Sequence, residues 1–200
     1  MHIELYDYGP TRSQRCRWAF LEAGINYVTI DSKDLFGTPE LKKVHPLGAI
    51  PAMKVDGRPL FESAAICTYI ADLAPEKGLV APSGTWARAL HDQWTCYVLS
   101  EMEAYTWSSA RNTFVLPEEK RLSSVFEQNA QGFKRGAAPM NQALADCDYL
   151  VDNRFSVTDI IASFTVNWGQ RLGLLNEFEH LQSYLQRMFD RPHCTLNKGS

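Results

Sequence analysis

Two hundred residues, 45% of them hydrophobic, suffice to bury one large core or two small ones. A net charge of −3 offers no electrostatic attraction to nucleic acid, and no apolar run approaches the roughly 18 residues a membrane helix needs. Cys16, Cys67, Cys96, Cys147 and Cys194 are odd in number, widely spread and without a Cys-x-x-Cys pair, which argues against a disulfide framework or a paired-thiol redox motif, and no metal site is assigned.

The opening MHIELYDYG lacks the cationic and apolar regions of a signal peptide, so the cytoplasm is the expected compartment. Residues 2–6 read as a strand, 13–23 as a helix, 26–30 as a second strand and 39–44 as a short helix. Leu47-Gly48-Ala49 then relaxes the chain before Ile50-Pro51, and an X-Pro bond is the kind that adopts cis cheaply. Residues 52–55 alternate as a half-buried strand, Asp56-Gly57 signals a hairpin, and residues 58–61 return as a strand whose Pro59 suits an edge. From Ser63, Ala64, Ile66, Ile70 and Leu73 recur near helical spacing. A strand, crossover helix and second strand in this length suit a parallel βαβ unit with the hairpin added antiparallel, as in a thioredoxin-like domain.

The spacing marks residues 1–77 as this α/β domain and 78–86, with Pro82, Ser83 and Gly84, as a linker. Residues 87–198 carry only helical patterns, so the second domain is expected to be all-helical. One long helix is expected over 87–111, and another over 126–146 with a kink or break at Pro139. In Phe155-Ser156-Val157-Thr158-Asp159-Ile160, Ser156 can cap a helix, Asp159 can bond back to it, and Phe155 can pack on Ile160. Gly199-Ser200 is set aside as an expression remnant.

The run HPLGAIPAM, Asp56-Gly57 and LFESAAICTYIA resemble the glutathione-binding half of the glutathione transferase family, and FSVTDI resembles the motif opening a central helix in that family's second domain. The resemblance spans the whole chain. It implies an α/β thioredoxin-like N-terminal domain, an all-α C-terminal domain, and a homodimer built largely from the helices after Ser63 and Ala87. It also implies activation of the glutathione thiol for attack on a hydrophobic electrophilic small molecule held between the two halves, a detoxification reaction. Proteins of this fold also serve as non-catalytic binding or assembly modules, and a glutathione-dependent reductase or lyase on the same scaffold is a narrower option.

By the resemblance, Ile50 offers its backbone to the cysteinyl part of glutathione, Pro51 fixes the turn, and Glu62 and Ser63 hold the γ-glutamyl ammonium and carboxylate. The physical fit is direct, because a helix N-terminus presents unpaired N–H groups and partial positive charge to an anion. His45 replaces the commoner Asn, and Ala49 stands where many relatives place a Lys or Gln that reaches the glycine carboxylate. That end of glutathione is therefore left to His45, Lys42 or Arg12.

A free thiol is only about 3% ionised at pH 7, and a hydroxyl donating to sulfur beside a helix N-terminus favours the thiolate. Thr11-Arg12-Ser13 resembles the family's Ser-Arg-Ser type, which puts Thr11 in the activating place and Ser13 second. Tyr8 and Tyr6 remain alternatives, since other classes put a tyrosine near the end of the first strand. Ser13 also reads as a plain N-cap, and Tyr6 as core. Cys16 falls inside the helix as a small buried hydrophobe, which disfavours a mixed-disulfide mechanism. Tyr97, Glu101, Tyr105, Trp107 and Arg111 share a long helix and read either as core or as the wall of an apolar cleft.

Overall fold

A four-stranded mixed sheet forms the centre of the first part of the chain in the computed structural model, which describes residues 1–196. In chain order the elements are β1 (Ile3–Asp7), α1 (Ser13–Ala23), β2 (Val28–Asp31), α2 (Pro39–Lys42), β3 (Ala52–Val55), β4 (Arg58–Phe61) and α3 (Ser63–Leu73). The strand order is β2-β1-β3-β4, with β1 parallel to β2 and the other pairs antiparallel. Tyr6 of β1 stands opposite both Ile30 and Ala52. Pro59, which has no N–H to give a ladder, sits on edge strand β4 opposite Lys54. This is the expected thioredoxin-like α/β arrangement.

Local chemistry explains the boundaries. Gly24 ends α1 in the left-handed conformation at φ 69°, returning its N–H to the Leu21 carbonyl. Thr38 caps α2 by accepting the Leu41 N–H at 3.3 Å, and Pro39 follows at the first helical position. Helix α2 stops at Lys42, shorter than the expected 39–44, and β1 and β2 begin one and two residues later than expected. Leu5, Trp18, Phe20, Met53, Ile66 and Ile70 are buried to 1% exposure or less and form the core between the sheet, α1 and α3.

The chain divides into two units, Met1–Ser83 with the segment from Pro192, and Gly84–Arg191. Sequence patterning read a helical domain to residue 198. The last helix in fact ends at Phe189, and the segment from Pro192 belongs with the first unit; residues 197–200, including Gly199-Ser200, lie outside the described residues.

The second unit is all-helical: α4 (Trp86–Val98), α5 (Ala104–Ala110), α6 (Val125–Ala143), α7 (Val157–Arg171) and α8 (Glu179–Phe189). The single helix expected over 87–111 is instead α4 and α5 joined through π-helical turns at Leu99–Glu103 and extended by another at Arg111–Val115. Helix α6 runs through Pro139 without the expected break; the proline has no N–H to give the Arg135 carbonyl, and both residues are exposed.

Helix α6 comes very close to the first π-helical turn. A Cβ built on Gly136 would lie 2.2 Å from the Glu101 carbonyl oxygen, which is backbone and cannot rotate away. Gly136→Ala is therefore expected to destabilise the protein by about 2–3 kcal/mol, overpacking outweighing the roughly 1 kcal/mol by which alanine favours a helix over glycine. The urea unfolding midpoint checks this; an unchanged or higher midpoint refutes the close approach.

Helix α7 is buried all round over residues 157–167, which makes it the central helix of its unit. Its start carries the capping box: the Ser156 N–H and hydroxyl donate to Asp159 Oδ2 at 2.9 and 2.8 Å. Phe155 meets the ring of Tyr149 edge-on and lies under the Arg191 guanidinium, 3.3 Å from ring centre to Cζ.

Candidate functional site

In the first unit, the loop from β1 into α1 carries Thr11. Its Oγ1 donates its one proton to the Tyr8 carbonyl or to Ser13 Oγ, each 2.9 Å away, and accepts the Ser13 N–H at 3.3 Å. Thr11 is partly exposed, whereas Ser13, the first residue of α1, is completely buried. A ligand arriving at the helix start therefore meets Thr11, with Ser13 behind it. Tyr6 is buried, its hydroxyl accepting a hydrogen bond from Lys54 Nζ at 2.8 Å. Tyr8 is exposed, its ring edge-on to Phe36 at 6.3 Å.

The loop is braced from α1. Arg17 Nη1 contacts both Asp7 carboxylate oxygens at 2.6 and 2.7 Å, while Nη2 donates to the Gly9 carbonyl at 3.0 Å. Such a charge-assisted fork fixes geometry as well as adding energy. Neither Arg17 nor Asp7 stood out in the sequence, because ten positions separate them and an isolated Arg reads as a solvated charge.

The second cluster surrounds the Ile50–Pro51 bond, which is cis. His45 is buried; its Nδ1 accepts the Leu47 N–H at 3.1 Å and its ring tilts onto Phe61 at 5.1 Å between centroids. The imidazole thus braces the turn. Gly48, at φ 60°, closes that turn so tightly against Gly37 that a Cβ would come within 2.8 Å of the Gly37 Cα. Ile50 is half-buried and Pro51 buried, with Ile50 packed against the cluster of Tyr6, Leu41, Val44 and Ala52.

Glu62 and Ser63 open α3. Glu62 is exposed and held at φ 71°, ψ 115°, an uncommon conformation for a residue with a Cβ. Ser63 is buried, and its Oγ accepts a hydrogen bond at 3.1 Å from Nη1 of the fully buried Arg15 on α1. That bond ties the starts of α1 and α3 together, and the Thr11, Ile50-Pro51 and Glu62-Ser63 groups all lie within the first unit. Cys16 is fully buried, and burial pushes its thiol well up, which leaves it neutral. Among the described residues, no His, Cys, Asp or Glu cluster is arranged to hold a metal ion, and no helix is long and apolar enough to cross a membrane.

In the second unit, the candidate aromatic stripe engages α6. Tyr97 donates to the Gly136 carbonyl at 3.0 Å, and Arg135 binds Glu101 Oε2 at 3.1 Å and the Tyr105 hydroxyl at 3.2 Å. Trp107 and Arg111 remain exposed.

A thioredoxin-like α/β unit, carrying a cis-proline turn and a strained Glu-Ser helix start, followed by an all-helical unit, defines a glutathione transferase-like fold. The chain matches the family profiles described as Glutathione S-transferase, N-terminal domain over residues 11–73, and Glutathione S-transferase, C-terminal domain over residues 85–192. It belongs to the glutathione S-transferase family. It is 30% identical over 154 residues to Glutathione S-transferase GstA of Escherichia coli O157:H7, covering 74% of this chain and 72% of the relative. It is also 27% identical over 161 residues to Elongation factor 1-gamma of Prunus avium, covering 78% of this chain but 37% of that longer protein. A sphingomonad glutathione S-transferase complexed with glutathione shares the fold with a TM-score of 0.82 at 24% identity, over 96% of this chain and 94% of that one.

Proposed function

We propose that this chain is a cytoplasmic glutathione transferase in which Thr11 stabilises the glutathione thiolate. The observation that carries the reading is the partly exposed Thr11 hydroxyl at the opening of α1, backed by the buried Ser13. The thiol proton leaves to solvent, the Thr11 hydroxyl turns its proton from the Tyr8 carbonyl or Ser13 Oγ to the sulfur, and the positive end of α1 adds to the stabilisation. The thiolate then attacks an electrophilic carbon of a hydrophobic small molecule: a C–S bond forms, and either the leaving group departs with the electron pair it shared with that carbon, or the π bond at that carbon breaks, its pair moving onto the conjugated group, which takes a proton from solvent. Detoxification is the role this chemistry fits.

Ile50 serves the cysteinyl part through its backbone, Pro51 shapes the turn, and His45 supports both by bracing that turn. Glu62 takes the γ-glutamyl ammonium. Ser63 and the α3 N-terminus take the carboxylate. With Ala49 in place of a longer polar residue, the glycine end is left to His45, Lys42 or Arg12, and the chain is expected to act as a homodimer.

The test is a glutathione titration of the purified protein, following thiolate absorbance against pH. Saturable binding with an apparent thiol pKa at least one unit below the free value of about 8.5 supports the transferase reading. Binding with an unshifted thiol, or no binding, favours the second reading, a non-catalytic assembly module. The similarity to elongation factor 1-gamma and the presence of Ala49 are what support that alternative. A depressed thiol without conjugation of any electrophile leaves a glutathione-dependent reductase or lyase on the same scaffold.

A further inference from the structure

We propose that Thr195, on the segment that returns to the first unit after the last helix, is a positioning residue for the turn that presents Thr11. This rests on the reading that Thr11 activates a glutathione thiol. Thr195 and Gln14 clasp each other through two short bonds across 181 positions of sequence. Gln14 Nε2 donates to the Thr195 carbonyl at 2.6 Å, and Thr195 Oγ1 donates to the Gln14 carbonyl at 2.7 Å. Gln14 is 5% exposed and follows Ser13 directly.

The clasp acts on the residue that closes the activating turn. The Gln14 N–H donates to the Thr11 carbonyl at 3.0 Å, and one residue earlier the Ser13 N–H donates to Thr11 Oγ1 at 3.3 Å. The peptide group before Gln14 therefore holds Thr11, and the peptide group after it is held by Thr195. Either side of the clasp is anchored further along the segment. Leu196 is 7% exposed, and His193 Nδ1 stands 3.7 Å from Glu22 Oε2, two turns further along α1. A contact that only secured the segment needs one bond to α1; two bonds on Gln14, at the first turn, fix the orientation of that turn.

The consequence is electrostatic. A hydroxyl that strays from the sulfur donates a weaker hydrogen bond to the thiolate, so the thiol pKa rises. The charged groups on the surrounding elements are Glu4 and Asp7 on β1, Arg12, Arg15, Arg17 and Glu22 along the loop and α1, Glu62 before α3 and Asp72 within it, and His193 on the segment itself. None of them is altered by a substitution at Thr195.

The experiment compares wild-type protein with Thr195→Val and Thr195→Ser by thiolate titration of bound glutathione, with thermal unfolding alongside. In Thr195→Val the apparent thiol pKa is expected to rise by roughly half to one unit, so thiolate is lost near neutral pH and regained at alkaline pH. Thr195→Ser, which keeps the donor, is expected to match wild type. If Thr195→Val titrates like wild type, or if both variants shift alike, the positioning role is overturned while the activation by Thr11 stands. If the wild-type protein itself leaves the bound thiol at its free value, both fall together. Should Thr195→Val not fold, Thr195→Ala carries the same comparison, because it also removes the donor and adds no methyl group.

Discussion

Asp159→Ala is expected to lower the stability of the protein by roughly 3–5 kcal/mol, enough to unfold a marginal domain. Asp159 is completely buried at the start of the central helix α7. Its carboxylate accepts from the Leu150 N–H at 3.1 Å, the Ser156 N–H at 2.9 Å, the Ser156 hydroxyl at 2.8 Å and the Tyr184 hydroxyl at 3.1 Å. Alanine strands these donors in a water-free interior, where each lost partner costs about 1–3 kcal/mol. Ser156→Ala removes only one donor and a helix cap, worth about 1 kcal/mol. Urea unfolding of the two variants tests the ranking, and an Asp159→Ala loss no greater than that of Ser156→Ala would contradict it.

The same carboxyl sets a pH dependence of definite sign. Burial raises its pKa from 3.8 to about 6, overcoming the four donors that pull it down. In the unfolded chain it titrates near the ordinary value. Between about pH 4 and 6 the folded protein therefore keeps a proton that the unfolded chain has released. Its contribution to stability is full at low pH and falls as pH rises through that window, by up to ~3 kcal/mol, then stays flat. Subtracting the pH profile of Asp159→Asn from that of wild type isolates this slope. A difference that grows with pH instead would mean that the donors outweigh burial.

The capping box was legible because Ser156 and Asp159 lie three residues apart, and the Ile50–Pro51 turn and Asp56-Gly57 hairpin were legible because they too are local. Local chemistry in each case dictates local geometry. His45 shows where this stops: the sequence presents a polar ring beside the expected binding turn, but not that Nδ1 is committed to the Leu47 N–H. Arg15 reaching Ser63 across 48 positions and Thr195 reaching Gln14 across 181 leave no periodic trace, because a single contact between distant elements imposes no spacing on either. The π-helical turns were hidden differently. Residues 87–111 keep helical spacing, so an extra residue in a turn leaves no mark on the pattern, nor does the close approach of Gly136 to the Glu101 carbonyl within the first of these turns.

Thr11→Val is expected to lower kcat/KM for conjugation near pH 6.5 by roughly 10- to 100-fold, because a hydrogen bond to a charged group contributes about 1.5–3 kcal/mol. Valine keeps the shape of threonine, so the loop braced by Arg17 can stay in place while the donor disappears. The loss should take the form of a raised thiol pKa, with activity recovering toward wild type at alkaline pH. Thr11→Ser should stay within a few-fold of wild type, and Tyr8→Phe should be silent, since Tyr8 meets Thr11 through its backbone carbonyl while its ring is exposed. Ser13→Ala separates the two hydroxyls. Ser13 is shut off from solvent, so its removal acts only by loosening Thr11 and should raise the thiol pKa by less than Thr11→Val does. If Ser13→Ala proves the more damaging of the two, the loop must open to expose the buried serine to the sulfur, and the activating role passes from Thr11 to Ser13.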